Sequence, residues 1–154
     1  MTVIASGDLI RTAMALVPGT TSDEFLEWLA AALRRLRTTK EVRCGAAGWF
    51  LTTASQGTVE IRPVRDGTAV ARRVLDFRAA PALTAVVTAP TPEGLAALGC
   101  EDPLGSAFGQ ALATELIAFG RATVGNLGTW RLGKKPTLEV FVRFRPEPAA
   151  NLRI

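Results

Sequence analysis

Basic residues are the part of this chain whose type and spacing could do chemistry. Arg62, Pro63 and Arg65 precede Asp66-Gly67, and Arg72-Arg73 follow it. A Gly-containing pair between two extended runs marks a hairpin tip, so the four arginines share one ribbon. Farther on, Arg131, Lys134 and Lys135 surround a second tip at Gly133-Lys134-Lys135-Pro136. Cations grouped this way can contact phosphate, which supplies affinity without reading sequence. The plainer reading of any single one is a solvated surface charge. Glu60, Asp66 and Asp76 also weaken the field of the first hairpin.

Other chemistries find little support. The chain has two cysteines, Cys44 and Cys100, and no histidine, so no Cys/His metal site can be assembled and no metal or cofactor is expected. Cys44 has no histidine to activate it and reads as a core residue. The carboxylates are scattered, and no Gly-x-x-x-x-Gly-Lys-Ser/Thr loop occurs. An enzyme is not expected.

The 154 residues suffice for one domain or two small ones, and 48% hydrophobic content can build a core. Eighteen basic residues against 14 acidic ones give a net charge of +4, a mild imbalance compatible with nucleic acid but not diagnostic. The start, Met1-Thr2-Val3-Ile4-Ala5, lacks the basic and apolar regions of a signal peptide. No run approaches the ~20 apolar residues of a membrane helix. A cytoplasmic, reducing compartment is the expectation.

The elements that must position the cations follow from pattern. Residues 6–17 read as a helix with Leu9, Ala13 and Leu16 on one face, stopped by Pro18-Gly19. Thr21 and Glu24 have capping-box spacing and open a helix to about residue 38. Its apolar stripe is Phe25, Leu29, Ala32, Leu33 and Leu36, with Trp28 at the edge. Arg34, Arg35 and Arg37 suit its C-terminal dipole. A strand over 41–44, a glycine turn, a strand over 49–64 with a bend at 55–57, and a return strand over 68–77 follow. Residues 81–88 read as a short helix, and 88–92 as a linker. The second part runs in the same order: a reduced helix over 92–98, a helix over 103–119 capped by Asp102-Pro103, a strand over 121–124, and a hairpin over 129–145. Gly105 and Gly109 inside the long helix read as close contacts with another helix. A short helix is expected at the C-terminus.

The order is repeated in detail. Gly45, Gly48 and Phe50 are matched, at one constant separation, by Gly125, Gly128 and Trp130. Phe77-Arg78 and Pro81-Ala82 recur as Phe144-Arg145 and Pro148-Ala149 at a shorter separation. The second copy has therefore lost a piece of its hairpin.

Helix, helix, strand, glycine turn, hairpin, Phe-Arg, short helix: this order resembles the bacterial HU/IHF family of DNA-bending proteins. The family turn, Gly-Phe-Gly-x-Phe, is similar to Asn126-Leu127-Gly128-Thr129-Trp130 and less so to Ala46-Ala47-Gly48-Trp49-Phe50. Its third strand ends in Phe-Lys/Arg-Pro-Gly-Lys-x-Leu, which Phe77-Arg78 to Leu83 and Phe144-Arg145-Pro146 resemble without the later lysine.

The resemblance implies an α+β fold of two HU-like halves, residues 1–88 with a long β-arm and 89–154 with a truncated one, packed as an intrachain pseudodimer. The helices over 21–38 and 103–119 would cross in a shared core. It also implies a monomeric, nucleoid-associated protein that binds and bends double-stranded DNA with little sequence preference. In the family a proline near the arm tip wedges between base pairs. Pro63 resembles it, although the family's Arg-Asn-Pro reads Ile61-Arg62-Pro63 here. A three-residue loop, Arg65-Asp66-Gly67, places Pro63 where no ladder N–H is needed. A proline guarding an edge strand is the other reading. The implied DNA contacts are Arg62, Pro63, Arg65, Arg72 and Arg73 on the arm, Arg78 and Arg145 at the Phe-Lys/Arg position, and Arg131, Lys134 and Lys135 on the short hairpin. Arg43 and Arg121 lie near the first strand of each half. The alternative is an HU-fold interaction or structural module that no longer bends DNA.

Overall fold

The computed structural model describes residues 8–54, 73–137 and 140–147. The bend at 55–57, the first hairpin tip and the expected C-terminal helix lie outside this description. The fold is α+β, with two three-stranded antiparallel sheets and five α-helices among the described residues.

Helix α1 (Leu9–Leu16) buries Leu9 and Ala13, but Leu16, at the helix end, is 46% exposed. Helix α2 (Ser22–Arg34) begins with the expected capping box. The Glu24 amide donates to Thr21 Oγ1 at 3.1 Å, and the Thr21 amide donates to Glu24 at 3.3 Å. A 3-10 turn, Arg35–Arg37, extends it and buries Leu36. Strands β1 (Glu41–Arg43), β2 (Gly48–Ala54) and β3 (Arg73–Ala79) form the first sheet in that order. Helix α3 (Pro81–Thr88) then buries Leu83, Val86 and Val87. Helix α4 (Pro92–Ala96) is one short turn capped by Thr91. Helix α5 (Pro103–Phe119) starts with Asp102 accepting from the Leu104 amide and stops at Gly120. Strands β4 (Arg121–Val124), β5 (Gly128–Lys134) and β6 (Val140–Pro146) form the second sheet.

The repeat read from sequence is a repeat of register. Val42 pairs with Phe50 and Phe50 with Phe77; Ala122 pairs with Trp130 and Trp130 with Phe144. The turn glycines have matching reasons. A Cβ at Gly48 would lie 2.7 Å from Cζ of Phe77, and one at Gly128 would lie 2.6 Å from Cζ of Phe144. The third-strand ring lies across the glycine in both sheets, so any side chain there would displace it.

The two ring pairs meet at the centre. Phe77 stands edge-on to Trp130 with centroids 5.6 Å apart, Phe50 approaches Phe144 at 6.1 Å, and Phe108 of α5 joins them at 5.8 Å from Trp130. Edge-to-face packing at these separations adds about 0.5–1.5 kcal/mol per pair beyond burial. One aromatic core therefore serves both sheets.

Helices α2 and α5 meet at one place rather than along a crossing. Trp28 packs on Phe108 at 6.1 Å, and its Nε1–H donates to Asp102 at 2.9 Å. The long face of α5 is covered by α1 instead. There Thr12 Oγ1 donates to Oε1 of Glu115, a carboxylate only 5% exposed whose other oxygen has no hydrogen-bond partner among the described residues. Gly105 and Gly109 are close-contact positions, but their neighbours correct the expectation of a helix. Gly105 faces the backbone of Gly45, and Gly109 faces Ala47 and Leu98. The first glycine turn thus sits on α5. The second sits beside α2, where Leu26, Leu29, Ala30 and Leu33 line a pocket of about 150 Å³ with Val124 to Leu127. Each turn lies against the long helix of the other half of the chain.

Candidate functional site

Strand alternation sorts the charged residues. In the second sheet Ala122, Trp130 and Phe144 point inward and are buried or half-buried, so Arg121, Arg131, Arg143 and Arg145 take the outer face. The register places Arg121 opposite Arg131, and Arg131 opposite Arg143. Directly paired residues on one face have Cβ atoms about 5 Å apart. Three exposed arginines therefore stand in one row, and Arg145, also exposed, takes the next row opposite Thr129. An open groove of about 830 Å³ runs over this face, lined by Arg131, Arg143, Arg145, Thr129, Pro146 and Glu147 among others. Among the described residues, Arg131, Arg143 and Arg145 form no ion pair.

Like charges placed directly opposite destabilise a sheet by about 0.2–1 kcal/mol per pair. The arrangement concentrates positive potential over a wide, shallow surface. An anion with several negative groups, spaced along a backbone, is the ligand that such a surface can hold.

The outer face of the first sheet differs at the same positions. Its middle row is Glu41, Leu51 and Asp76. Its next row is Arg43, Trp49 and Arg78. Arg78 lies over the Trp49 ring at 4.7 Å and Arg43 at 5.7 Å. Arg78 also pairs with Glu41 at 2.9 Å, and Arg43 Nε donates to the Gly45 carbonyl at 3.1 Å. Two cations and two carboxylates leave these two rows with no net charge.

The residues expected as contacts therefore separate. Arg131 and Arg145 come together. Lys134 is exposed at the end of β5, where alternation puts it on the opposite side of the ribbon from Arg131, and Lys135 follows in the loop. Arg78 belongs to the other sheet and is engaged by Glu41 and Trp49. Arg73 begins β3 opposite Ala54. Arg62, Pro63, Arg65 and Arg72 lie outside the described residues. Arg143 went unrecognised in the sequence, although Arg143 and Arg145 stand two apart in a strand, which puts them on one face.

Of the cysteines, Cys44 is buried, and loss of solvent pushes its thiol far above its usual range, with the charge of Arg35 opposing. Such a thiol is inert, as expected for a core residue. Among the described residues no three His, Cys, Asp or Glu side chains gather to hold a metal, and no helix is long and apolar enough to cross a membrane. No family model, curated protein or solved structure matches the chain.

Proposed function

We propose that this chain is an architectural DNA-binding protein of HU/IHF-like design, two halves joined in one polypeptide, that binds duplex DNA through its phosphates and bends it. The observation that carries this reading is the row Arg121, Arg131 and Arg143 with Arg145 beside it, set on an open sheet face whose two described rows hold arginine and threonine. The shared register of the two sheets and their common aromatic core support the two-half design. The first hairpin, with Arg62, Arg65, Arg72 and Arg73 around Pro63, is the proposed arm and wedge, and the shortened second hairpin leaves one arm. The bend is then a single kink to one side of the site, and Pro63→Ala reduces bending while keeping most of the affinity. A module that binds protein instead of DNA is the second reading. The balanced charge on the first sheet's outer face favours it.

Fluorescence anisotropy of a 20-base-pair duplex at two salt concentrations tests the proposal. Each phosphate neutralised contributes about −0.9 to the slope of log K against log salt. Replacing Arg131, Arg143 and Arg145 with alanine should lower the slope by roughly 2.7 on that scale and weaken binding at least tenfold. A triple variant that binds like the wild type removes the arginine face from the interface. A wild type that binds no duplex at low salt leaves the interaction-module reading.

A further inference from the structure

We propose that the Arg43–Trp49–Arg78 row is a second nucleic-acid site, one for an unpaired nucleotide whose base stacks on the Trp49 indole while Arg43 and Arg78 hold the flanking phosphates. The inference rests on the duplex-binding reading and assigns a different form of the ligand to the other face.

Trp49 is the tryptophan on the outer face of a sheet. Trp130 is fully buried, and Trp28 is packed on Phe25 and Phe108. The register puts Arg43 and Arg78 on opposite sides of Trp49. Arg78 is held by Glu41 at 2.9 Å, and Arg43 Nε donates to the Gly45 carbonyl at 3.1 Å. Arg43 is the looser cover, at 5.7 Å against 4.7 Å, and is the one that an incoming base displaces. The equivalent position in the second sheet is Thr129, between Thr123 and Arg145, which offers no ring.

Charge separates the two ligands. The four arginines of the second sheet suit a ligand recognised by its phosphates. The first face, with Glu41 and Asp76 beside Arg43 and Arg78, gains little from phosphate alone. What it offers is a π-surface with two local donors, the combination that binds single strands with little sequence preference. A paired base is stacked inside the duplex and cannot reach an indole on an open sheet face, whereas an unpaired one can. Two phosphate contacts on a single strand give a salt slope of only about −1.4.

The test titrates the full chain with an eight-residue oligothymidylate, read by tryptophan emission, beside the 20-base-pair duplex read by anisotropy. Oligouridylate in a parallel arm distinguishes DNA from RNA, and binding of either supports the site. The expected result is quenching in the wild type that is absent in Trp49→Phe. Affinity for the oligonucleotide should fall about tenfold in Trp49→Ala, with duplex affinity unchanged. Arg43→Ala, at an exposed position, should weaken the oligonucleotide severalfold, and it decides the matter if Trp49→Ala melts early by circular dichroism. Oligonucleotide binding that leaves the emission unchanged, or that survives both substitutions, overturns the inference. Duplex binding without any oligonucleotide binding overturns it alone and leaves the arginine face standing. Binding of neither removes both.

Discussion

Equivalent positions in the two sheets read Glu41, Leu51 and Asp76 in one and Arg121, Arg131 and Arg143 in the other. One row carries two negative charges and the other three positive ones. Inside, the same strands keep Phe50 with Phe77 and Trp130 with Phe144, rings of similar bulk against the same core. The difference shows where the fold constrains the chain and where it does not. The inner face must fill one volume shared by both sheets, and close packing tolerates little change there. The outer face meets solvent, so each copy is free to carry its own chemistry. The glycine turns show the same asymmetry through packing. Gly45, at φ +66°, lies against the Gly105 backbone, whereas among the described residues nothing lies within 4 Å of a Cβ built on Gly125.

The largest expected difference lies in those turns. Gly45→Ala puts a methyl group into the α5 backbone at a left-handed residue and should cost about 3 kcal/mol of folding stability. Gly125→Ala should be neutral or stabilising by up to about 1 kcal/mol, through the unfolded chain. Urea denaturation of the two variants reads both values, and equal losses would mean that the turns are packed alike.

A smaller effect comes from transplanting the charge. Glu41→Arg with Asp76→Arg brings the second sheet's charge onto the first. It should raise duplex affinity about tenfold at low salt and steepen the salt slope by roughly 1.8, two phosphate contacts' worth. A transplant without effect would place the bound duplex on the second sheet alone.

The smallest effect is on stability. Arg131→Gln removes the central charge of the row, a member of two like-charge pairs, and should stabilise the free protein by about 0.4–2 kcal/mol. The gain should fade as salt screens the row. Leu51→Gln, at the equivalent position, should show no such salt dependence in thermal melts.

Much of this was legible along the chain. The caps at Thr21 and Asp102, the proline-led starts of α3 and α5, and the repeated glycines depend on a few neighbouring residues, and local rules place them well. The echoed glycine and Phe-Arg motifs anticipated the matching register of the two sheets, because turn geometry determines which residues stand opposite. The candidate site was legible only in part. Arg131 and Arg145 were identified from their hairpin and motif, but Arg143 was not, and Lys134 was grouped with residues on the other side of its ribbon. Reading a face requires settling the alternation of two strands at once, and a list of cations by sequence position does not do that.

By itself, the sequence determined the order of elements and the helix caps, consequences of backbone preferences and side-chain period over short distances, but it set the second hairpin tip at Gly133 to Pro136, where the structure keeps Gly133 and Lys134 in β5, paired with Phe141 and Val140. Tertiary structure decided what those elements meet. The sequence marked Gly105 and Gly109 as close contacts but could not say that their partner is the glycine turn of the other half rather than a helix. It placed Trp49 on a strand but not between two guanidinium groups from strands on either side. Nor could it foresee a carboxylate, Glu115, buried against Thr12. These contacts join residues far apart in the chain, and the core volume that the two halves must fill together selects them.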